Sequence, residues 1–134
     1  VFCIRPTLVY GKNDPHNGYG PNKFLRDAKE KKEIRVFGNG EEIRDHINVK
    51  DVARLFLMIV KKNKFEDFNV VTSKEKSFLN ISNEIKKRFK NIKIIKMKRT
   101  VPMPHNGYRV FDNKKLRKLK VKISELKEYL KNYE

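Results

Sequence analysis

The sequence predicts an α/β chain. Short apolar runs at 1–9, 34–37, 42–49, 68–71 and 92–97 alternate with stretches whose apolar residues recur every three or four positions, at 21–32, 51–62, 78–89, 113–118 and 124–133. The first run, V-F-C-I-R-P-T-L-V, is apolar almost throughout, which suits a strand buried on both faces of a parallel sheet. No internal repeat or low-complexity linker interrupts the alternation. A chain of 134 residues makes one domain, or part of one, with a modest core.

Each element has a local reason. Residues 10–20 are too rich in Gly, Asn, Asp and Pro for anything but a loop. Pro21 then opens a helix in the first-turn position that proline favours, and Phe24, Leu25 and Ala28 give it one apolar face. The runs 34–37 and 42–49 flank Gly38-Asn39-Gly40, where positive φ angles suit a tight turn, so a strand pair or two closely linked strands is expected. Asp51 opens and caps an amphipathic helix with Val52, Leu55, Phe56, Ile59 and Val60 inward, and Lys61 and Lys62 suit its carboxyl end. A strand follows at 68–71. Phe78, Ile81, Ile85 and Phe89 mark a helix, and the Lys-interleaved run 92–97 reads as an edge strand. Two prolines keep 100–107 out of a helix. A short helix after Asp112 passes through Leu116, and a last one starts at Ser124, a good N-cap, and runs to about Tyr133.

Composition bounds the functions. The net charge of +17, from 33 basic and 16 acidic residues, raises a nucleic-acid hypothesis, because basic chains gain affinity for phosphates by releasing counterions. The excess is mostly Lys spread over helix faces, accompanied by many Asn and Ile and by no Arg-aromatic stacking platform, so a solvated surface is preferred. Neither a signal pattern nor an apolar stretch of membrane-spanning length occurs, and a soluble cytoplasmic protein is expected. The lone Cys3 cannot form an internal disulfide and reads as a small buried side chain. Val1 sits inside an apolar run, as in a strand already in progress, which suggests a truncated chain.

Two segments carry a resemblance: R-P-T-L-V-Y-G at 5–11, and V-F-G-N-G-E-E-I-R-D-H-I-N-V-K-D-V-A at 36–53. Together they resemble the second half of an extended short-chain dehydrogenase/reductase, in the NAD-dependent sugar epimerase and dehydratase family. The resemblance implies the C-terminal part of a Rossmann-like NAD(P)-binding fold with the small substrate-binding subdomain and an incomplete sheet. It also implies NAD or NADP as cofactor and a nucleotide-sugar as substrate. The family's Gly-rich dinucleotide turn and its Tyr-x-x-x-Lys pair lie upstream of the matched segment. A missing N-terminal half is therefore an implied partner, dimerisation would run through helices outside the segment, and this chain alone is expected to be inactive. The rival readings are a non-catalytic module that binds a sugar nucleotide or completes its sheet with a partner chain, and a basic nucleic-acid-binding domain.

Site residues follow from the resemblance position by position. Arg44 stands in R-D-H-I-N-V, where the family's arginine contacts the nucleotide-sugar diphosphate, and a guanidinium fork suits two phosphate oxygens. By spacing alone, a salt bridge to Asp45 or Glu42 is as good a reading. His46 takes a position where the family often has an aromatic ring beside the nucleotide, or it is a satisfied structural histidine. Asp45 is a loop-fixing carboxylate. Asn22 and Lys23 fall where related epimerases use an Asn and a neighbouring amide on the phosphates, with ordinary capping the alternative for Asn22. Arg35 and Phe37 line the strand that runs along the base in relatives, although Phe37 reads better as core. Pro6, Thr7 and Leu8 occupy the strand end that approaches the nicotinamide, consistent with ligands binding beyond the carboxyl ends of strands in open sheets. Leu8 departs from the Asn of many epimerases, which argues against assuming a UDP-galactose or UDP-glucose substrate. Arg109, and more weakly His105, are candidates for a second phosphate contact.

Tyr19 and Lys23 satisfy Tyr-x-x-x-Lys as text, yet the pair works only when a helix sets both on one face. Gly20 and Pro21 oppose such a helix, so Tyr19 is rejected as a base.

Overall fold

The computed structural model describes residues 2–133. Its strands are short and mostly parallel. β1 (Ile4–Pro6) pairs with β6 (Phe68–Val70), β2 (Leu8–Tyr10) with β5 (His46–Asn48), and β3 (Glu33–Phe37) with β8 (Lys93–Met97), each in parallel. A three-stranded sheet places β4 (Ile43–Arg44) between β7 (Lys76–Ser77), antiparallel to it, and β9 (Tyr108–Arg109), parallel to it. The helices are α1 (Pro21–Lys31), α2 (Val49–Lys61), α3 (Phe78–Arg88), α4 (Lys114–Lys118) and α5 (Leu126–Lys131), with a 3-10 turn at Pro104–Gly107.

Among the described residues, two apolar clusters form the core. In one, Phe24, Leu25 and Ala28 of α1 pack with Phe78, Ile81 and Ile85 of α3, Leu126 and Leu130 of α5, and the inward residues Ile34 and Val36 of β3. The helical spacing of three and four and the strand spacing of two put these side chains on common faces. In the other, Ile47, Phe68 and Val70 meet Leu55 and Ile59 of α2 and Leu116 of α4. Ser77 caps α3 by accepting from the Asn80 amide at 3.1 Å, and α1 ends on Lys32 in the left-handed region.

Several expectations are corrected. The 1–9 run is two strands, not one: the chain shifts partner at Thr7, whose amide still donates to Val70 O at 3.1 Å. Arg5, Pro6, Leu8 and Val9 are exposed rather than buried on both faces, because among the described residues neither β1 nor β2 gains a second neighbour. Runs 34–37 and 42–49 do not pair with each other. The Gly38–Gly40 turn sends the chain instead to Leu79, whose amide donates to Gly40 O at 2.8 Å, and β3 takes its partner from 60 residues downstream (Ile34 opposite Ile94). Gly40 is required there: its φ is +71°, and a Cβ would lie 2.9 Å from the Leu79 nitrogen.

Asp51 does not cap α2. Asn48 does, accepting from the Lys50 amide at 2.9 Å, while Asp51 is buried within the first turn and accepts from the Ser124 amide at 2.8 Å. Ser124 is thereby occupied with Asp51, and α5 starts after Glu125 with no side-chain cap. Leu55 and Ile59 are buried as expected, but Phe56 and Val60 are exposed. Cys3 is exposed. The 100–107 segment holds one 3-10 turn, in which His105 and Asn106 have positive φ. Among the described residues no helix is long and apolar enough to cross a membrane.

Candidate functional site

The end of β1, the start of β2 and the β4–β9 pair converge on a cleft of about 180 Å³ lined by Pro6, Thr7, Leu8, Arg44, Arg109 and Phe111. Register explains the pairing of the two arginines. Arg44 and Arg109 are partners across parallel neighbours, so their side chains leave the sheet on the same side. The cleft walls are apolar, from Pro6, Leu8 and Phe111, and the charge is cationic.

The two arginines differ in availability. Arg44 is buried at 7% exposure and makes three bonds: it pairs with Glu42 and donates to Ile43 O at 2.7 Å and Pro104 O at 2.8 Å. Of the two salt-bridge alternatives posed from spacing, Glu42, just before β4, is the one formed, while the Asp45 carboxylate is taken up by Thr72 and Ser73. Arg109 is exposed. Its guanidinium lies 4.9 Å from the Phe111 ring centroid, and Nη1 is 3.1 Å from His105 Nε2. Stacking leaves the edge of a guanidinium open to donate, so the Arg109 fork is accessible from the cleft while Arg44 is held within the protein.

Asp45 holds the break between β4 and β5. Its carboxylate accepts from Thr72 N at 2.8 Å, Ser73 N at 3.0 Å and the Thr72 hydroxyl, and its carbonyl accepts from Thr7 Oγ1 at 2.9 Å. The Thr7 amide and hydroxyl protons are thereby both donated within the fold. Pro6 has no N–H, so the strand end presents chiefly the Pro6 ring and Leu8. That surface is an apolar wall of the cleft.

The remaining candidates lie elsewhere. Asn22 neither caps α1 nor reaches the cleft: its Oδ1 accepts from Gly11 N at 3.2 Å and its Nδ2 donates to Asp14, which staples the 10–20 loop to the helix start. Lys23 pairs with Asp27 at 3.1 Å one turn on. Arg35 is exposed and donates to Glu33 at 2.9 Å. Phe37 is not core. At 37% exposure it lies under Arg99, 5.7 Å from guanidinium carbon to ring centroid, and beside Tyr19, whose hydroxyl accepts from the Phe37 amide at 3.0 Å. Tyr19 precedes α1 and packs on Phe24 and Phe78, away from any shared helix face with Lys23.

His46 lines a separate cavity of about 460 Å³ bounded by residues 71–74 and 121–126. Its Nε2 is buried without a hydrogen-bond partner, and its ring meets Phe78 edge-on at 5.7 Å. Burial pushes its pKa down to about 4, so the ring is neutral at pH 7 and adds no charge toward a phosphate.

Sequence reasoning offered Glu42 as a partner of Arg44 but missed its second partner, Arg99, and missed Phe111 altogether. Arg99 binds Glu42 across 57 residues, a separation that leaves no local pattern. The two-residue spacing of Glu42 and Arg44 was the one readable signal.

Residues 1–71, just over half the chain, match the family described as the NAD dependent epimerase/dehydratase family. The chain belongs to that family. It is 31% identical over 91 residues to the dTDP-4-dehydro-6-deoxy-D-allose reductase of Streptomyces bikiniensis, which covers 63% of this chain and 27% of that protein. Its fold is similar to that of UDP-N-acetylglucosamine 4-epimerase from Methanobrevibacter ruminantium, solved with UDP-N-acetylmuramic acid. The TM-score is 0.78 at 21% identity, covering 96% of this chain and 43% of that one. A GDP-L-fucose synthetase from Naegleria fowleri, bound to NADP, gives a TM-score of 0.73 at 20% identity, covering 96% and 42%. At these identities the structural likeness is one of fold, and that fold is a mixed α/β, Rossmann-like one with a small, incomplete sheet. The chain spans about a quarter of the curated relative and less than half of either solved neighbour.

Proposed function

We propose that this chain is the portion of an NAD(P)-dependent nucleotide-sugar epimerase, dehydratase or reductase that grips the sugar nucleotide. The observation that carries the reading is the pairing of Arg44 and Arg109 on neighbouring strands, in one cleft with the strand end Pro6, Thr7 and Leu8. Arg109, braced by Phe111 and His105, donates to the diphosphate. Arg44, held by Glu42, Ile43 and Pro104, adds charge to the wall, and Asp45 fixes the strand break that positions it. Pro6 and Leu8 give an apolar surface to the cofactor ring, which when bound accepts and returns a hydride. The Tyr-Lys pair and the dinucleotide turn are assigned to a further portion of polypeptide. The exposed apolar residues Leu8, Val9, Phe56, Leu57 and Val60 support this, since such surface on β2 and α2 is ordinarily covered.

The test is titration of the 134-residue chain with UDP-glucose, dTDP-glucose and GDP-mannose, followed by NMR shift changes. At least one is expected to bind, and Arg109→Ala to weaken it by roughly 10- to 100-fold, the equivalent of a charge-assisted hydrogen bond of about 1.5–3 kcal/mol. Absence of binding by all three, or indifference to Arg109→Ala together with steeply salt-dependent RNA or DNA binding, would replace this reading with the nucleic-acid one.

A further inference from the structure

We propose that Glu42 sets the anion affinity of the Arg44–Arg109 cleft as an internal counter-ion shared between Arg44 and Arg99. The inference rests on the diphosphate-holding role above and adds residues to it. Glu42 accepts from Arg44 through one carboxylate oxygen and from Arg99 through the other, at 3.0 Å for Arg99. All three side chains are withdrawn from water, at 9%, 8% and 17% exposure for Glu42, Arg44 and Arg99.

Two guanidiniums and one carboxylate leave a single positive charge within the triad, which reaches the cleft through Arg44, while Glu41 faces Arg99 from outside it. Arg99 adds a second sign of incomplete compensation, because its Nε is buried with no acceptor. A charge in such a place acts over a distance on any anion that enters, since the surrounding protein screens it less than water does. Arg44 is also held by Ile43 O and Pro104 O, so neutralising Glu42 changes the field more than the position of the guanidinium. Glu42 thus lowers the cleft's attraction for phosphate, Arg99 restores part of it, and the balance of the two tunes release of a bound diphosphate.

The experiment uses charge as its variable. Glu42→Gln is isosteric and Arg99→Gln replaces the guanidinium with a shorter neutral amide, so that these and the double variant carry net charges of +2, 0 and +1 in the triad, against +1 in the wild type. Inorganic pyrophosphate is titrated into the 134-residue chain at several salt concentrations. Affinity is expected to rise about tenfold in Glu42→Gln, fall by a similar factor in Arg99→Gln and return to the wild-type value in the double variant. A merely structural role for the triad would weaken binding in all three. Any order that does not follow net charge, equal affinity throughout included, overturns the inference. If one single variant does not fold, the other must still differ from the double variant in the stated direction. Failure of the functional reading looks different: sugar nucleotides would then be indifferent to Arg109→Ala while pyrophosphate still ranked the variants by charge.

Discussion

Replacing Asp45 with alanine is expected to destabilise the chain by about 3 kcal/mol. The carboxylate is 2% exposed and accepts three hydrogen bonds, from Thr72 N at 2.8 Å, Ser73 N at 3.0 Å and the Thr72 hydroxyl. Bonds to a charged group contribute roughly 1.5–3 kcal/mol each, so the gross loss is about 4–9 kcal/mol. Thr72 and Ser73 are only half-buried, and water that reaches their freed donors recovers part of it. Ser73 is held at a φ of +55°, a conformation that costs a non-glycine residue about 1–2 kcal/mol and persists here against the Asp45 anchor. For a chain of 134 residues, a loss of that size lowers Tm by about 10 °C. Thermal unfolding by circular dichroism measures the shift, and hydrogen exchange at the Thr72 and Ser73 amides locates it. A Tm change below about 3 °C, or unchanged exchange at those two amides, would refute the argument that Asp45 locks the turn.

His46 makes stability depend on pH. Its folded pKa of about 4 lies below the ordinary value of 6.5, so the unfolded chain binds more protons between the two. Stability is fully present above 6.5, declines as pH falls through that window by at most about 3 kcal/mol, and levels off below 4. His46→Gln is expected to flatten the slope of urea-unfolding free energy between pH 6.5 and 4, and a slope unchanged by the substitution would contradict the assignment. Gly40→Ala is expected to cost about 2–4 kcal/mol, combining a left-handed backbone with a Cβ placed 2.9 Å from backbone nitrogen. Gly18→Ala, whose Cβ would meet only His16 at 3.4 Å, should change stability by less than about 0.5 kcal/mol. Equal denaturation midpoints for the two alanine variants would count against the close approach at Gly40.

The helices were legible wherever burial followed a local period. Phe24, Leu25 and Ala28, and Phe78, Ile81 and Ile85, lie inward as their spacing requires. Expectations failed where a polar side chain had two competing uses. Asp51 and Ser124 each have good capping chemistry, but they are 73 residues apart in sequence and adjacent in space, and bonding each other leaves Asn48 to cap α2. Phe56 and Val60 follow the helical period yet face outward, because periodicity marks an apolar face without supplying what covers it. The site divides in the same way. The frame around Arg44 carries the family resemblance, whereas only the structure shows that Glu42 and two carbonyls hold Arg44 and that Arg109 lies exposed against Phe111.

What the sequence by itself determined is what short-range chemistry can encode: the α/β alternation, the loop at 10–20, the glycine turn before Arg44 and the family motif. The partners of the strands were decided only by tertiary structure. β3 joins β8 rather than its neighbour across the turn, and Arg44 meets Arg99 through Glu42 and Arg109 through register. A parallel pair needs a crossover connection, and a shared counter-ion needs three segments brought together. The free energy of either depends on residues too far apart for any local pattern to register.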